Sequence, residues 1–230
     1  KVSDSPVSYP AALKCMERRV QSVIAGTKKE LVWLLEHPHV YTKGTSAESG
    51  ELLYTPTAPV YATGRGGRYT YHGPGQRIIY LMMDLRTRGT DIRQYVHNLE
   101  SWLINTLSEF DIKGERKSDR IGIWVSQSDR MEVKLGAIGI RVRRWVTFHG
   151  VSLNIYPDLK MYDPIIPCGV KEYGVSSMQE LGVSAEMRQV DEALFRNFGK
   201  IFGGTENIYE DHGDAESPHD LSSINSGHHL

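Results

Sequence analysis

Three segments of this sequence carry residues whose types and spacing could do chemistry. The first is Pro167-Cys168-Gly169. A cysteine between proline and glycine lies on a turn, its backbone fixed on one side and uncrowded on the other. Cys168 is therefore a better nucleophile candidate than Cys15, which falls inside a helical pattern and reads as a small buried hydrophobe. The second is Lys134-Leu135-Gly136-Ala137-Ile138-Gly139, a lysine among glycines and small residues. Lys134 reads either as an edge-strand charge or as a cation able to lower a thiol's pKa. The third runs from Gly64 to Gln76 and holds five glycines in thirteen residues, with Arg65, Arg68, Tyr69, Tyr71 and His72 embedded. A merely flexible loop has no use for those aromatics. Two arginines and bare amides suit an anionic or carbonyl-bearing ligand. No Gly-Lys-Ser/Thr follows, and no G-x-G-x-x-G sits between a strand and a helix, so no nucleotide is implied.

A thiol of pKa about 8.5 is only slightly ionised at neutral pH and needs a cationic neighbour or a base. Cysteine, lysine and a loop of amides together supply the nucleophile, the acid/base and the oxyanion donors of an acyl-transfer site. Cysteine with His149, in Phe148-His149-Gly150, would read instead as a thiol protease, whose local signatures are missing.

These residues need a scaffold, and the chain is long enough to build one. It has 230 residues, 40% hydrophobic and 24% charged, as an ordinary globular domain does. No run approaches 18 apolar residues and none reads as a signal peptide. Two cysteines cannot form a disulfide scaffold, which points to a reducing, cytoplasmic setting. The net charge of −1 divides unevenly. Residues 204–230 hold six acids and no Lys or Arg, leaving 27 basic against 22 acidic residues in 1–203, a balance of +5. The expected organisation is one domain over 1–203 and an acidic, disordered tail over 204–230.

Periodicity predicts helices over 10–23, 91–110 (with Asp91 near the N-cap), 176–181 and 185–202. It predicts strands over 31–36, 76–85, 121–125, 131–147 and 151–155, with 40–61 as loop. The expected class is α/β or α+β, strands grouped with helices outside them.

The motifs resemble the lipoyl(octanoyl) transferases of protein lipoylation. The matching segments are Glu36-His37-Pro38-His39-Val40-Tyr41-Thr42 and Arg65-Gly66-Gly67-Arg68-Tyr69-Thr70-Tyr71-His72-Gly73-Pro74-Gly75-Gln76. They continue with Lys134 to Trp145, Phe148-His149-Gly150, Asn154 and Pro167-Cys168-Gly169, within roughly residues 8 to 200. The resemblance implies a mixed sheet flanked by helices, like the catalytic domain of biotin and lipoate protein ligases. It implies transfer of an octanoyl group from octanoyl-acyl carrier protein to a lysine of lipoyl domains, those of 2-oxoacid dehydrogenase complexes and the glycine cleavage H protein. Cys168 would carry the acyl group as a thioester, assisted by Lys134. Arg65 to His72, Ala137, Ile138 and Gly139, and Gly150, Val151 and Ser152 would line the acyl site, with His149 in support. No cofactor, metal, nucleic acid or membrane is implied. A thioester donor is already activated, in keeping with the missing P-loop. The basic body, with Arg141, Arg143 and Arg144 clustered, would steer acidic carrier and lipoyl domains; alternatively those arginines are a solvated strand edge. Competing readings are an ATP-dependent lipoate or biotin ligase, which has no use for Cys168, and a non-catalytic carrier-binding module.

Overall fold

The computed structural model describes residues 1–127, 131–167 and 173–203. Cys168, Gly169 and the tail 204–230 lie outside them. The helical pattern near the N-terminus forms α1 (Tyr9–Ile24), with proline in its first turn and Ala12, Met16, Val20 and Val23 buried on one face. Strands β1 (Leu31–Leu35), β2 (Val40–Lys43), β3 (Val60–Ala62), β4 (Tyr69–His72) and β5 (Gln76–Met82) follow. Then come α2 (Ile92–Ser108), β6 (Ile123–Ser126), β7 (Glu132–Arg143), β8 (Val146–Asn154), the short β9 (Gly174–Val175) and α3 (Met187–Phe202). As its sequence predicts, α2 is capped by Asp91, whose carboxylate accepts from the Gln94 amide.

The large sheet runs β1-β5-β8-β7-β6, all antiparallel, with β9 joining β7 in parallel. A second sheet, β3-β2-β4, pairs β2 with β3 in parallel and with β4 antiparallel. The class is therefore mixed α/β. β5 is buried along its whole length. Its alternate residues serve two cores, Ile78, Tyr80 and Met82 with α1, and Ile79 and Leu81 with α2 and α3.

Three expectations are corrected. The region 40–61 is not all loop, because β2 and the start of β3 lie in it, β2 holding β3 on one side and β4 on the other. The single strand over 131–147 is a hairpin. The chain reverses at Arg144 and Trp145, both at positive φ, so His149 and Gly150 lie inside β8. Residues 176–181 form no helix; turns run over 178–182 instead. The Ser176 amide there bonds the Lys134 carbonyl, and the Met178 amide bonds the Asn154 carbonyl.

Candidate active site

Lys134 sits on β7 between two neighbours, its Cα paired with Trp124 on β6 and with Val175 on β9. The residue is buried. Its ammonium donates to the Ile121 carbonyl at 3.1 Å and lies 5.2 Å from the centre of the Trp124 ring. A carbonyl and a π face thus hold the buried cation in place.

Lys134 opens onto a cavity of about 480 Å³, within the usual range for small-molecule sites. Three backbone stretches singled out in the sequence converge on it. Arg65, Gly66, Gly67 and Arg68, with Tyr69, Thr70 and His72 of β4, make one wall. Ala137, Ile138 and Gly139 on β7 and His149, Gly150, Val151 and Ser152 on β8 make the facing one. These two strands pair directly, Ala137 with Ser152 and Gly139 with Gly150. Gly150 must be glycine, since a Cβ there would collide with the Ile79 carbonyl oxygen. Tyr71 is the exception. It does not line the cavity but is buried with Tyr41 and Tyr162 beneath the small sheet, its hydroxyl bonded to His39 Nδ1 at 2.7 Å.

The glycine loop is braced from within. Buried Arg65 donates to the Thr42 carbonyl at 2.9 Å, to the Thr42 hydroxyl at 2.7 Å and to the Gly66 and Arg68 carbonyls at 2.9 Å each. Much of its guanidinium thus holds the loop's shape. Arg68 pairs with Glu48 and Glu51. The Ile166 amide bonds the Glu51 carbonyl at 2.8 Å, so the chain leaves the described residues at Pro167 from a point tied to this wall. It returns at Tyr173, whose ring meets Trp124 edge-on at 5.3 Å, with the Arg120 guanidinium over both rings. The two flanks of the undescribed stretch are therefore anchored to the glycine-loop wall and to the Lys134 wall.

Three histidines near the cavity are neutral. Burial depresses His37 to about 4. Burial, then the proximity of His37, takes His72 to about 3, and burial with the Arg65 and Arg141 charges takes His149 to about 3. Their partners fix the tautomers. His37 Nδ1–H donates to the Val7 carbonyl at 2.5 Å, leaving Nε2 to accept from the Tyr80 hydroxyl at 2.7 Å. His72 Nδ1–H donates to the Gln76 side-chain carbonyl at 2.6 Å, because the Gln76 amide nitrogen is given to Asn154 and Tyr162. Asn154 donates in turn to the Ser176 carbonyl, beside Lys134. His149 is held at φ 62°, and its buried Nε2 has no hydrogen-bond partner among the described residues. Such a strained, unsatisfied residue is the kind that functional sites retain.

Sequence reasoning missed Tyr9, Ile78, Tyr80, Ile121 and Trp124, which also line the cavity. Period-2 alternation does put Ile78 and Tyr80 on one face of β5. No local signal brings α1 or the 119–124 segment to the same place.

A mixed sheet with outer helices, holding a slot between a glycine loop and a buried lysine, defines a catalytic domain of the lipoate-ligase type. Residues 8–199 match the family described as the lipoyl protein ligase A/B catalytic domain. The octanoyltransferase of Paramagnetospirillum magneticum is 55% identical over 203 residues, covering 88% of this chain and 96% of its own. That of Rhodospirillum rubrum is 53% identical over 203 residues, covering 88% and 94%. A bi-partite lipoate protein ligase from Thermoplasma acidophilum shares the fold, with a TM-score of 0.65 at 13% identity over 91% of this chain and 87% of that one. A lipoate-protein ligase A bound with ATP gives 0.61 at 13%, covering 86% and 85%. The chain belongs to the lipoyl protein ligase A/B catalytic domain family, and within it to the octanoyltransferases; it is an acyltransferase of lipoylation.

Proposed function

We propose that the cavity receives the octanoyl group of an octanoyl-acyl carrier protein, passes it to Cys168 as a thioester, and delivers it to a lysine of a lipoyl domain. In the first half, the Cys168 thiolate attacks the donor's thioester carbonyl. The new carbon–sulfur bond forms, the bond to the carrier's arm breaks, and the departing thiolate takes up the proton. In the second half, the acceptor amine attacks the acyl-Cys168 carbonyl, an amide forms, and Cys168 leaves as thiolate. Lys134 as an ammonium steadies the Cys168 thiolate and gives its proton to the departing carrier thiolate; the amine so formed then takes a proton from the incoming lysine. Each buried methylene of the chain contributes about 0.8 kcal/mol to holding it.

The observation that carries this reading is the convergence of Lys134 with three backbone stretches on one cavity, between the two anchored flanks of the Cys168 segment. His72 and His149, depressed to about 3, are too weakly basic to serve as general bases near neutrality and act by shaping the slot. The acceptors are lipoyl domains of 2-oxoacid dehydrogenase complexes and the glycine cleavage H protein, served in a reducing cytoplasm as the first step of endogenous lipoylation. Residues 204–230 take no part, and a chain ending at Gly203 keeps full activity.

The test is transfer from octanoyl-carrier protein to a lipoyl domain without ATP. Wild type completes it and Cys168→Ala does not. Transfer that needs ATP and survives Cys168→Ala would contradict the reading and point to ligase chemistry.

A further inference from the structure

The β7–β8 hairpin turns on an expensive pair of residues. Two-residue turns with both positions at positive φ are ordinarily built from Asn-Gly. Here they are Arg144 at φ 48° and Trp145 at φ 63°. Left-handed backbone costs a residue with a side chain about 1–2 kcal/mol. The turn leaves Arg144 exposed and Trp145 41% exposed. Behind it, Arg141 and Arg143 set their guanidinium groups over one ring, Phe148, at 5.2 and 5.7 Å.

The charge pattern is as unusual as the backbone. Arg68, Arg77, Arg88, Arg116 and Arg120 each have a carboxylate partner. Arg141, Arg143 and Arg144 form no ion pair among the described residues. Asp84, bridged to Val146 at the base of the turn, spends its carboxylate on Arg86. Three like charges within four residues repel one another unless an external anion meets them. The patch also adjoins the cavity. Gly64 has no room for a Cβ because the Arg141 guanidinium fills that space, and the Gly66 amide bonds the Ile140 carbonyl at 3.0 Å.

We infer that the Arg141–Trp145 hairpin is the docking surface for the acidic, phosphate-bearing carrier protein that brings the acyl thioester. The inference rests on the carrier-borne donor proposed above and chooses between its two protein substrates. A carrier's prosthetic arm is rooted in a phosphodiester, which forked guanidinium groups bind well. The acceptor's reacting group is a lysine amine, which offers these guanidinium groups no anion to bind where the carrier's arm offers its phosphodiester. Trp145 supplies the rigid apolar anchor typical of interface centres.

The test compares two donors, octanoyl-carrier protein and octanoyl-pantetheine, in self-acylation by wild type and by Arg143→Gln/Arg144→Gln. The expected result is a loss of about tenfold or more in the second-order rate constant of acylation by the carrier-borne donor at low salt, with weaker salt dependence. The rate with octanoyl-pantetheine stays unchanged, which also reports an intact fold. An unchanged carrier rate, or equal losses with both donors, would overturn the inference. Failure of wild type to be acylated by either donor would instead sink the proposed function.

Discussion

The two faces of the large sheet are built on different principles. On the face toward α2 and α3, Leu99, Trp102, Leu103, Val190, Leu194 and Phe198 close over Ile79, Leu81, Leu135 and Leu153 in an apolar core. The opposite face begins the same way under α1, with Met16, Val20, Ile78 and Phe148. It then gives way to buried His37, His72, His149, Gln76 and Arg65 around the cavity. One face contributes stability through interlocking side chains. The other spends stability on neutral imidazoles, a strained strand residue and a braced arginine, because polar walls and close backbone are what an acyl slot requires.

The contrast can be broken from either side. The largest effect is expected on the polar side. Lys134→Ala should lower octanoyl transfer on the order of 10²–10⁴-fold, the range for loss of a general acid/base, while donor binding persists. Steady-state kinetics with a separate binding isotherm check this, and near-normal turnover would remove Lys134 from the chemistry. On the apolar side, Leu103→Ala leaves a cavity among fully buried neighbours and should cost about 2–5 kcal/mol of unfolding free energy. Its kcat at a temperature where it is folded should match wild type. A large loss of kcat with intact stability would erase the division between the faces.

Acid should act through the polar face. His37, His72 and His149 have folded pKa values depressed to about 4, 3 and 3, below about 6.5 in the unfolded chain. Between those values the unfolded state binds more protons. The stability they contribute is complete above about pH 6.5 and is lost as pH falls toward 3, by about 2 kcal/mol per histidine at pH 5. Denaturant titrations at pH 7.5 and pH 5 should show that fall, and His149→Gln should show a shallower one. An equal slope in that variant would mean His149 is not buried neutral. The smallest effect belongs to the other cysteine. Cys15 packs in α1 among apolar neighbours, so Cys15→Ala should shift stability by less than about 1.5 kcal/mol and leave acylation intact.

The apolar face was the more legible in sequence. α2 and α3 declare themselves by 3.6-residue periodicity, and the Asp91 cap by its place before the first apolar residue. β2 and β3 did not, because four- and three-residue strands gain their order from pairing, β3 with β2 and β2 with β4, rather than from their own pattern. The hairpin at Arg144 and Trp145 carried no glycine or asparagine to announce it. At the site, the glycine-rich string, Lys134 and the β7 and β8 segments were readable as motifs. Tyr9, Tyr80 and Trp124 were not, since only the fold brings α1, β5 and β6 to one cavity. Tyr71 shows the converse, a motif residue whose strand turns it into the core.

The central claim is that this cavity loads an acyl group onto Cys168 before passing it on. Intact-mass spectrometry after incubation with octanoyl-carrier protein tests it most directly. The account predicts one octanoyl group on the wild-type chain, released by hydroxylamine as a thioester is, and none on Cys168→Ala. No adduct on wild type, or one that persists in Cys168→Ala, would contradict it.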